Sequence, residues 1–375
     1  MIYLDNAATS KYKPSAVVRA VSEELRNGAN PGRSAHGDSI RSAMKIMDAR
    51  DTVRTLINNP QSEVIFTKNC TEALNLAIFG TVKEGGHVIT TVNEHNSVLR
   101  PLHELERRGK IRLTILPVSS DGSVDIDGID TAISRDTYLV CVNHISNVTG
   151  AKADIEAIAA LTERKGLLLL VDAAQSIGHT VIDTKKTKID LLAAAGHKGL
   201  HGPQGTGFLA FDARTKIKPL LYGGTGTDSE SVYQPFAAPE AYESGTVNTP
   251  SIAGLKEGIV WTLKNKEALS ANIRRNTFAL ICGLKEIKNV TLYTPPEALN
   301  GVVSFNIKGL TSSSVGDILN EKYNIAVRTG LHCAPLIHRH LGTLKNGTVR
   351  ASLGYNNSIG DIKKLIDAVK ETAYR

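Results

Sequence analysis

The sequence predicts an α/β protein whose main sheet is largely parallel, followed by a smaller domain of mixed helices and strands. Three observations carry that prediction. From about residue 38 to 210, short extended segments alternate with helical ones, as a parallel sheet with crossover helices requires. The extended segments are rich in Val, Ile, Leu and Thr rather than strictly alternating, the mark of strands buried on both faces. Past Thr249-Pro250 the texture changes to long helices and then to a mixture.

In chain order, Ser39–Ile57 reads as a helix in which Ile40, Met44, Met47 and Leu56 form a partial apolar stripe, assigned to the core. His87–Thr91, Arg112–Leu116, Tyr138–Asn143 and Leu167–Val171 are strands, and Ile155–Lys165 is a helix between the last two. Ile252–Leu284 reads as one or two long helices. Val290–Tyr293, Val302–Ile307 and Ala326–Arg328 are the later strand candidates. Ser358 caps a final helix with Asp361 three residues on, and Ile359, Ile362, Leu365, Ile366 and Val369 form its apolar face. A boundary near 250 makes 14–250 the large domain and 251–375, joined by 1–13, the small one.

A chain of 375 residues with 41% hydrophobic and 22% charged residues can bury two cores. The net charge of +7 favours anionic partners. Its 44 Lys and Arg are scattered, with no run of five, which favours a soluble enzyme over a nucleic-acid binder. Cys70, Cys141, Cys282 and Cys333 form no CxxC pair, so no disulfide framework is expected; Cys141 and Cys282 read as core residues. Met1-Ile-Tyr-Leu-Asp-Asn is not a signal, and no apolar run approaches the roughly 18 residues of a membrane span. A cytoplasmic protein is expected.

Two polar residues stand out. Leu167-Leu-Leu-Leu-Val171-Asp172 ends an apolar strand in a carboxylate, at the sheet edge where open α/β proteins bind ligands; capping the next helix would use the same residue equally well. Further on, Lys198 lies in Gly196-His197-Lys198-Gly199-Leu-His201-Gly202, where glycines suit a backbone passing close to a ligand. Gly-Lys followed by Ser or Thr is absent there, which excludes a P-loop. A lysine in a cramped site can form a Schiff base with an aldehyde. An Asp can hold a protonated pyridine nitrogen, making the ring an electron sink. Asp172 and Lys198 supply that pair and point to pyridoxal 5'-phosphate as cofactor. Thr71, in Phe66-Thr-Lys-Asn-Cys70-Thr71-Glu72-Ala73, stands where a strand gives way to a helix. Its hydroxyl suits a phosphate at the helix dipole or a plain N-cap.

The ordered set of motifs resembles the cysteine desulfurases of the class V aminotransferase-like family, among fold-type I pyridoxal-phosphate enzymes. The matching residues are Tyr3-Leu-Asp-Asn-Ala-Ala-Thr9, Cys70-Thr71-Glu72-Ala73, Asn93-Glu94-His95, Ser146-Asn147-Val-Thr-Gly150, Val171-Asp-Ala-Ala-Gln175 and Gly196-His197-Lys198. Glu243-Ser-Gly245-Thr246, Arg328-Thr-Gly-Leu-His332-Cys333-Ala334 and Val349-Arg350-Ala-Ser-Leu353 follow. The resemblance implies a mainly parallel seven-stranded sheet and a homodimer. It also implies conversion of L-cysteine to L-alanine, with delivery of sulfur to an acceptor protein or thiol. Selenocysteine lyases share the scaffold and the implied chemistry, and another class V transamination or lyase step, or a non-catalytic sulfur relay, are the remaining alternatives.

By resemblance, Lys198 would bear the Schiff base and shuttle the Cα proton, Asp172 would pair with the ring nitrogen, and Gln175 would bond the phenolic oxygen. His95 would stack on the ring. Thr71, His197 and, from the second subunit, Thr246 would bind phosphate. Asn147 and Arg350, with Arg328 beside them, would meet the substrate. Ala195 departs from the serine usual before Gly-His-Lys, which removes one phosphate donor. Cys333 would attack the substrate sulfur and carry it as a persulfide, with Arg328 and His332 as cations favouring the thiolate; Leu331 replaces the first His of the usual His-His-Cys-Ala. Cys333, His338 and His340 also have metal-like spacing, but without a clear fourth ligand no metal is assigned; His338 and His340 are expected on a loop or helix near the site entrance.

Overall fold

The apolar runs pair into one seven-stranded sheet. A computed structural model describes residues 1–32, 34–119 and 121–374. Its elements begin with β1 (Ile2–Tyr3), α1 (Ser15–Asn27), α2 (Gly37–Leu56), β2 (Ser62–Thr67), α3 (Cys70–Gly80), β3 (Gly86–Thr91) and α4 (Asn96–Arg107). Next come β4 (Ile111–Leu116), α5 (Ile126–Ala132), β5 (Thr137–Asn143), α6 (Ile155–Lys165), β6 (Leu168–Asp172), α7 (Thr184–Thr187), β7 (Leu191–Ala195) and β8 (Gly207–Asp212). Two long helices follow, α8 (Thr249–Lys264) and α9 (Lys266–Lys285). The chain ends with β9 (Val290–Leu292), β10 (Val302–Ile307), α10 (Ser312–Tyr323), β11 (Ile325–Ala326), β12 (Arg328–Gly330), α11 (Pro335–His340), β13 (Thr348–Ser352) and α12 (Ile359–Ala373).

The large sheet has the order β2-β8-β7-β6-β5-β3-β4. Six of its strands run the same way and β8 alone runs against them. Parallel strands need cover on both faces, and successive side chains point to opposite faces. Thus Leu169 and Val171 of β6 pack with Val53, Ile158 and Leu255, whereas Leu170 packs with Leu74 and Leu102. Register sets Asn143, Asp172 and Ala193 side by side, which puts Asp172 at the C-terminal edge of the sheet.

A second sheet, β12-β13-β10-β9, is antiparallel and builds a separate cluster of Phe305, Val349, Leu280, Leu319 and Leu365. Leu4 joins this cluster, and β1 pairs with β11. Ile252, Leu255 and Ile259 of α8 pack instead against the large sheet. The expected strand over Ala326–Arg328 divides at Val327, since β11 pairs with β1 and β12 with β13. Ser358 and Asp361 do form a reciprocal capping box at the start of α12.

Two core assignments are corrected. Ile40, Met44 and Met47 are 50%, 58% and 63% exposed. The inward side of α2 is instead Ile46, Ala49 and Val53, so the helix is apolar on two sides and the fold covers one. Leu56 does pack against the core. Cys282 is exposed on α9, because Leu280, Ile281 and Leu284 take the inward positions. Among the described residues no helix is long and apolar enough to cross a membrane.

Candidate active site

Lys198 sits in the turn that follows β7. Its flanking glycines are demanded by the protein itself rather than by a ligand. A Cβ on Gly196 would lie 2.2 Å from the Thr206 hydroxyl, and one on Gly199 would lie 2.2 Å from the Ile177 carbonyl. The turn therefore nests against its neighbours and leaves the lysine side chain in a cleft. Asp172, His95, Thr71, Asn147, Gln175 and His197 line the same cleft, with Cys70 and Ala195. Burial lowers the basicity of the Lys198 amine, while the Cys70 thiol and the Asp172 carboxylate pull it back up.

The partners of Lys198 are held from behind. Asp172 does not cap a helix; its Oδ1 accepts from the Ala174 N–H at 2.9 Å and the Cys70 thiol at 3.6 Å. His95 caps α4, with Nδ1 accepting from the Ser97 N–H at 3.1 Å and lying 2.6 Å from the Ser97 hydroxyl. The backbone donor leaves the ring proton on Nε2. Burial lowers the His95 pKa to about 4, against the opposing pull of Asp172. Gln175 Nε2 donates to the Ala7 carbonyl at 3.0 Å. Burial also takes His197 to about 4, and among the described residues its Nδ1 has no partner. Thr71 is not the N-cap of α3: Asn69 Oδ1 takes that place, accepting from the Glu72 N–H at 2.9 Å. Thr71 belongs to the first turn, where backbone N–H groups lack helical acceptors.

At the other end of the site, Arg350 is buried. Its Nη1 donates to the Asn147 carbonyl and its Nη2 to Asp5 Oδ1, both at 3.0 Å. Burial lowers its pKa, opposed by Asp5. Asn147 Nδ2 donates to the His332 carbonyl at 2.7 Å. Asn147 Oδ1 and Arg350 Nε lack partners among the described residues. Cys333 is exposed; Arg328 Nη2 is 3.8 Å from its Sγ, and its carbonyl accepts from the N–H of Asn96, the first residue of α4, at 2.7 Å.

Two expectations change. His332 is not a cation beside the thiol: its Nε2 donates to the Thr348 carbonyl at 3.1 Å and burial pushes its pKa to about 2. Arg328 is the cation at the thiol. His338 is buried and bonded to the Thr343 hydroxyl at 2.8 Å, so it does not line the site entrance; among the described residues no cluster of three or more His, Cys, Asp or Glu is spaced to hold a metal ion. Thr246 is exposed and lines a different groove with Met47, Arg50 and Glu243, so one chain does not bring it to Lys198. Sequence reasoning passed over Glu94, although Asn93-Glu94-His95 stood out as a motif. Its buried carboxyl is pushed up to about 8 by desolvation and accepts from the Thr91 hydroxyl at 2.7 Å and the Asn143 N–H at 3.1 Å.

The buried imidazoles make an acid-sensitive fold. His95, His144, His179, His197, His201 and His338 lie at about 4 through burial, below the ordinary 6.5. Between those values the unfolded chain binds protons that the folded chain refuses. Their stabilising contribution, whole above 6.5, is therefore lost as the pH falls toward 4. Glu94, at about 8 instead of 4.5, acts in the opposite sense and offsets one of them. The melting temperature of the chain with nothing bound should fall steadily from about pH 7 to about pH 4.5. A flat profile would mean that these rings take up protons in place.

A family model described as aminotransferase class-V matches residues 2–365. A probable cysteine desulfurase of Methanothermobacter thermautotrophicus is 36% identical over 380 residues, covering 99% of this chain and 94% of that protein. One of Pyrococcus abyssi is 35% identical, with 99% and 94% covered. The apo structure of a cysteine desulfurase from Thermococcus onnurineus superposes with a TM-score of 0.93 at 33% identity, covering all of this chain and 94% of that one.

Proposed function

The chain belongs to the aminotransferase class-V family, and from that premise we propose that it is a pyridoxal-phosphate-dependent cysteine desulfurase acting through Lys198 and Cys333. The observation that carries the reading is the meeting of Lys198, Asp172 and His95 in one cleft, with Cys333 one hydrogen bond from the helix that His95 caps. Relatives named as cysteine desulfurases over nearly their full length support the activity.

The residues present suit the cofactor. The cleft offers a buried amine of lowered basicity, a carboxylate, an imidazole ring and a helix first turn. His197 Nδ1 and Asn147 Oδ1 are buried polar atoms with no partner among the described residues, as expected of groups that await a ligand. Lys198 would hold the cofactor aldehyde, Asp172 the ring nitrogen, Gln175 the phenolic oxygen and His95 the ring face. Thr71 and His197 would hold the phosphate, and Ala195 contributes no donor to it. When bound, pyridoxal phosphate supplies an electron sink for charge developing at the substrate Cα.

The chain's own residues then divide the work. Arg350 binds the substrate carboxylate in the bidentate manner its fork allows, and Asn147 orients the same group. Lys198 would take the Cα proton. His95, neutral at working pH, remains an uncharged wall. Cys333, beside Arg328, attacks the sulfur of the substrate; the carbon–sulfur bond breaks as the sulfur–sulfur bond forms. L-cysteine and the enzyme thiol become L-alanine and a persulfide on Cys333, which a thiol or an acceptor protein then takes.

The exposed Thr246 supports a role in the second subunit's phosphate site. The uncovered side of α2, whose Met47 lines the same groove as Thr246, supports a homodimer that buries it. The four free cysteines suit a reducing cytoplasm, where a persulfide-forming thiol stays reduced between turnovers. Anaerobic incubation of the cofactor-loaded protein with L-cysteine, and separately with L-selenocysteine, tests the activity. Alanine should form in step with a persulfide on Cys333, read by mass spectrometry. Alanine without persulfide, or no alanine from either substrate, would overturn the reading.

A further inference from the structure

We propose that Lys13 is a positioning residue for Lys198: its ammonium clamps the carbonyl immediately before the cofactor lysine, through a strap that also meets Arg350. The inference deepens the cofactor reading above and rests on it.

The His197 carbonyl collects four donors. They are the Ser10 N–H at 3.0 Å, the Ser10 hydroxyl at 3.0 Å, the Thr9 hydroxyl at 3.2 Å and Lys13 Nζ at 3.1 Å. A carbonyl oxygen has two lone pairs, and one backbone donor already satisfies it. The additional donors, one of them charged, go beyond satisfaction and fix the peptide plane that joins His197 to Lys198. Lys13 Nζ also donates to the Ser10 hydroxyl at 2.8 Å, so cation and hydroxyl act as one unit.

A lysine with a free choice keeps its ammonium in water. Lys13 gives that hydration up: burial lowers its pKa to about 8, and both of its hydrogen bonds go to neutral oxygens. The return for that cost is the hold on the Lys198 turn. The same strap reaches further. The Ala7 carbonyl accepts from Gln175 and the Tyr12 carbonyl from His201 Nδ1 at 3.2 Å. In the other direction Asn6 Nδ2 donates to the Ser352 carbonyl at 3.0 Å, the Ser352 hydroxyl accepts from the Ala7 N–H at 2.9 Å, and Asp5 takes Arg350. Residues 5–13 thus link the group that would read the substrate carboxylate to the backbone of the group that moves its proton. Lys13 holds the near end, so that the Lys198 amine stays aimed at Cα once the substrate has displaced it.

The test compares full-length, cofactor-loaded wild type with Lys13→Met and Lys13→Arg. Lys13→Met should release the cofactor about tenfold faster on dialysis, the effect of one charge-assisted hydrogen bond. Its kcat for L-cysteine should drop about tenfold while KM stays within about twofold, because the carboxylate reader is untouched. Lys13→Arg, which keeps charge and reach, should recover most of both. The ionisable neighbours of Lys13, His197 and His201, are the same in every variant, and equal melting of the cofactor-free proteins would separate positioning from general stability. Lys13→Met behaving as wild type, or Lys13→Arg no better than Lys13→Met, would overturn the proposal. A wild type that takes up no cofactor would instead sink the reading on which it rests. If Lys13→Met does not fold, Lys13→Gln decides by the same criteria.

Discussion

Lys198→Ala is expected to yield a colourless protein whose production of alanine from L-cysteine falls by about 10⁴-fold or more, the upper range for loss of a positioned acid–base group. Two proposed roles vanish together in this variant, the covalent hold on the cofactor and the base at Cα. The turn itself should survive. Gly196 and Gly199 are pinned by Thr206 and Ile177, and Thr9, Ser10 and Lys13 bond the His197 carbonyl rather than the Lys198 side chain. Melting of the cofactor-free variant should therefore match or exceed wild type, since a buried amine with lowered basicity costs stability in its charged form. A visible absorbance band with substantial turnover in Lys198→Ala would remove the cofactor assignment.

Cys333→Ser should separate cofactor from sulfur. Cys333 is not among the residues lining the cleft around Lys198, so cofactor binding and its spectrum should be unchanged. Turnover of L-cysteine should fall by about 10²-fold or more, as expected when a covalent nucleophile is lost. Serine preserves the size of the side chain and the Asn96–Cys333 backbone bond, but an alcohol oxygen does not accept sulfur at neutral pH. Alanine formation at the wild-type rate would show that sulfur leaves without passing through residue 333.

The parts legible in sequence were those set by period and by motif. Buried strands such as Val302–Ile307 and the helix Ile155–Lys165 were found to the residue, because apolar runs and cap residues mark them locally. Asp172 was found from its place at the end of an apolar run. Other features depended on which surface meets which. The stripe of Ile40, Met44 and Met47 is visible in sequence, yet nothing local tells that Ile46 and Val53 on another side meet the sheet. His332 is basic in composition and neutral in place, because it is buried, with Arg350, His338 and Arg328 around it, and its proton is committed to a carbonyl. Asn69, two residues before Thr71, takes the cap because it stands three residues ahead of the Glu72 N–H that its Oδ1 accepts. Short segments such as Leu191–Ala195 and Gly207–Asp212 contain no Val, Ile or Thr, lack the β-branched signal and are strands only through their neighbours.

The backbone at Cys333 has a consequence for sulfur delivery. His332 and Cys333 both adopt left-handed conformations, with φ of 48° and 58°, and the turn is tied down on each side. Its carbonyls accept from Asn147 and Asn96, and the Ala334 N–H closes back on Leu331. A residue fastened in this way has a swing limited to one side chain, since the loop around it cannot travel. On the proposed reading, the handover then takes place at the enzyme's own surface, and an acceptor supplies the reach, bringing its thiol to Cys333 beside Arg328.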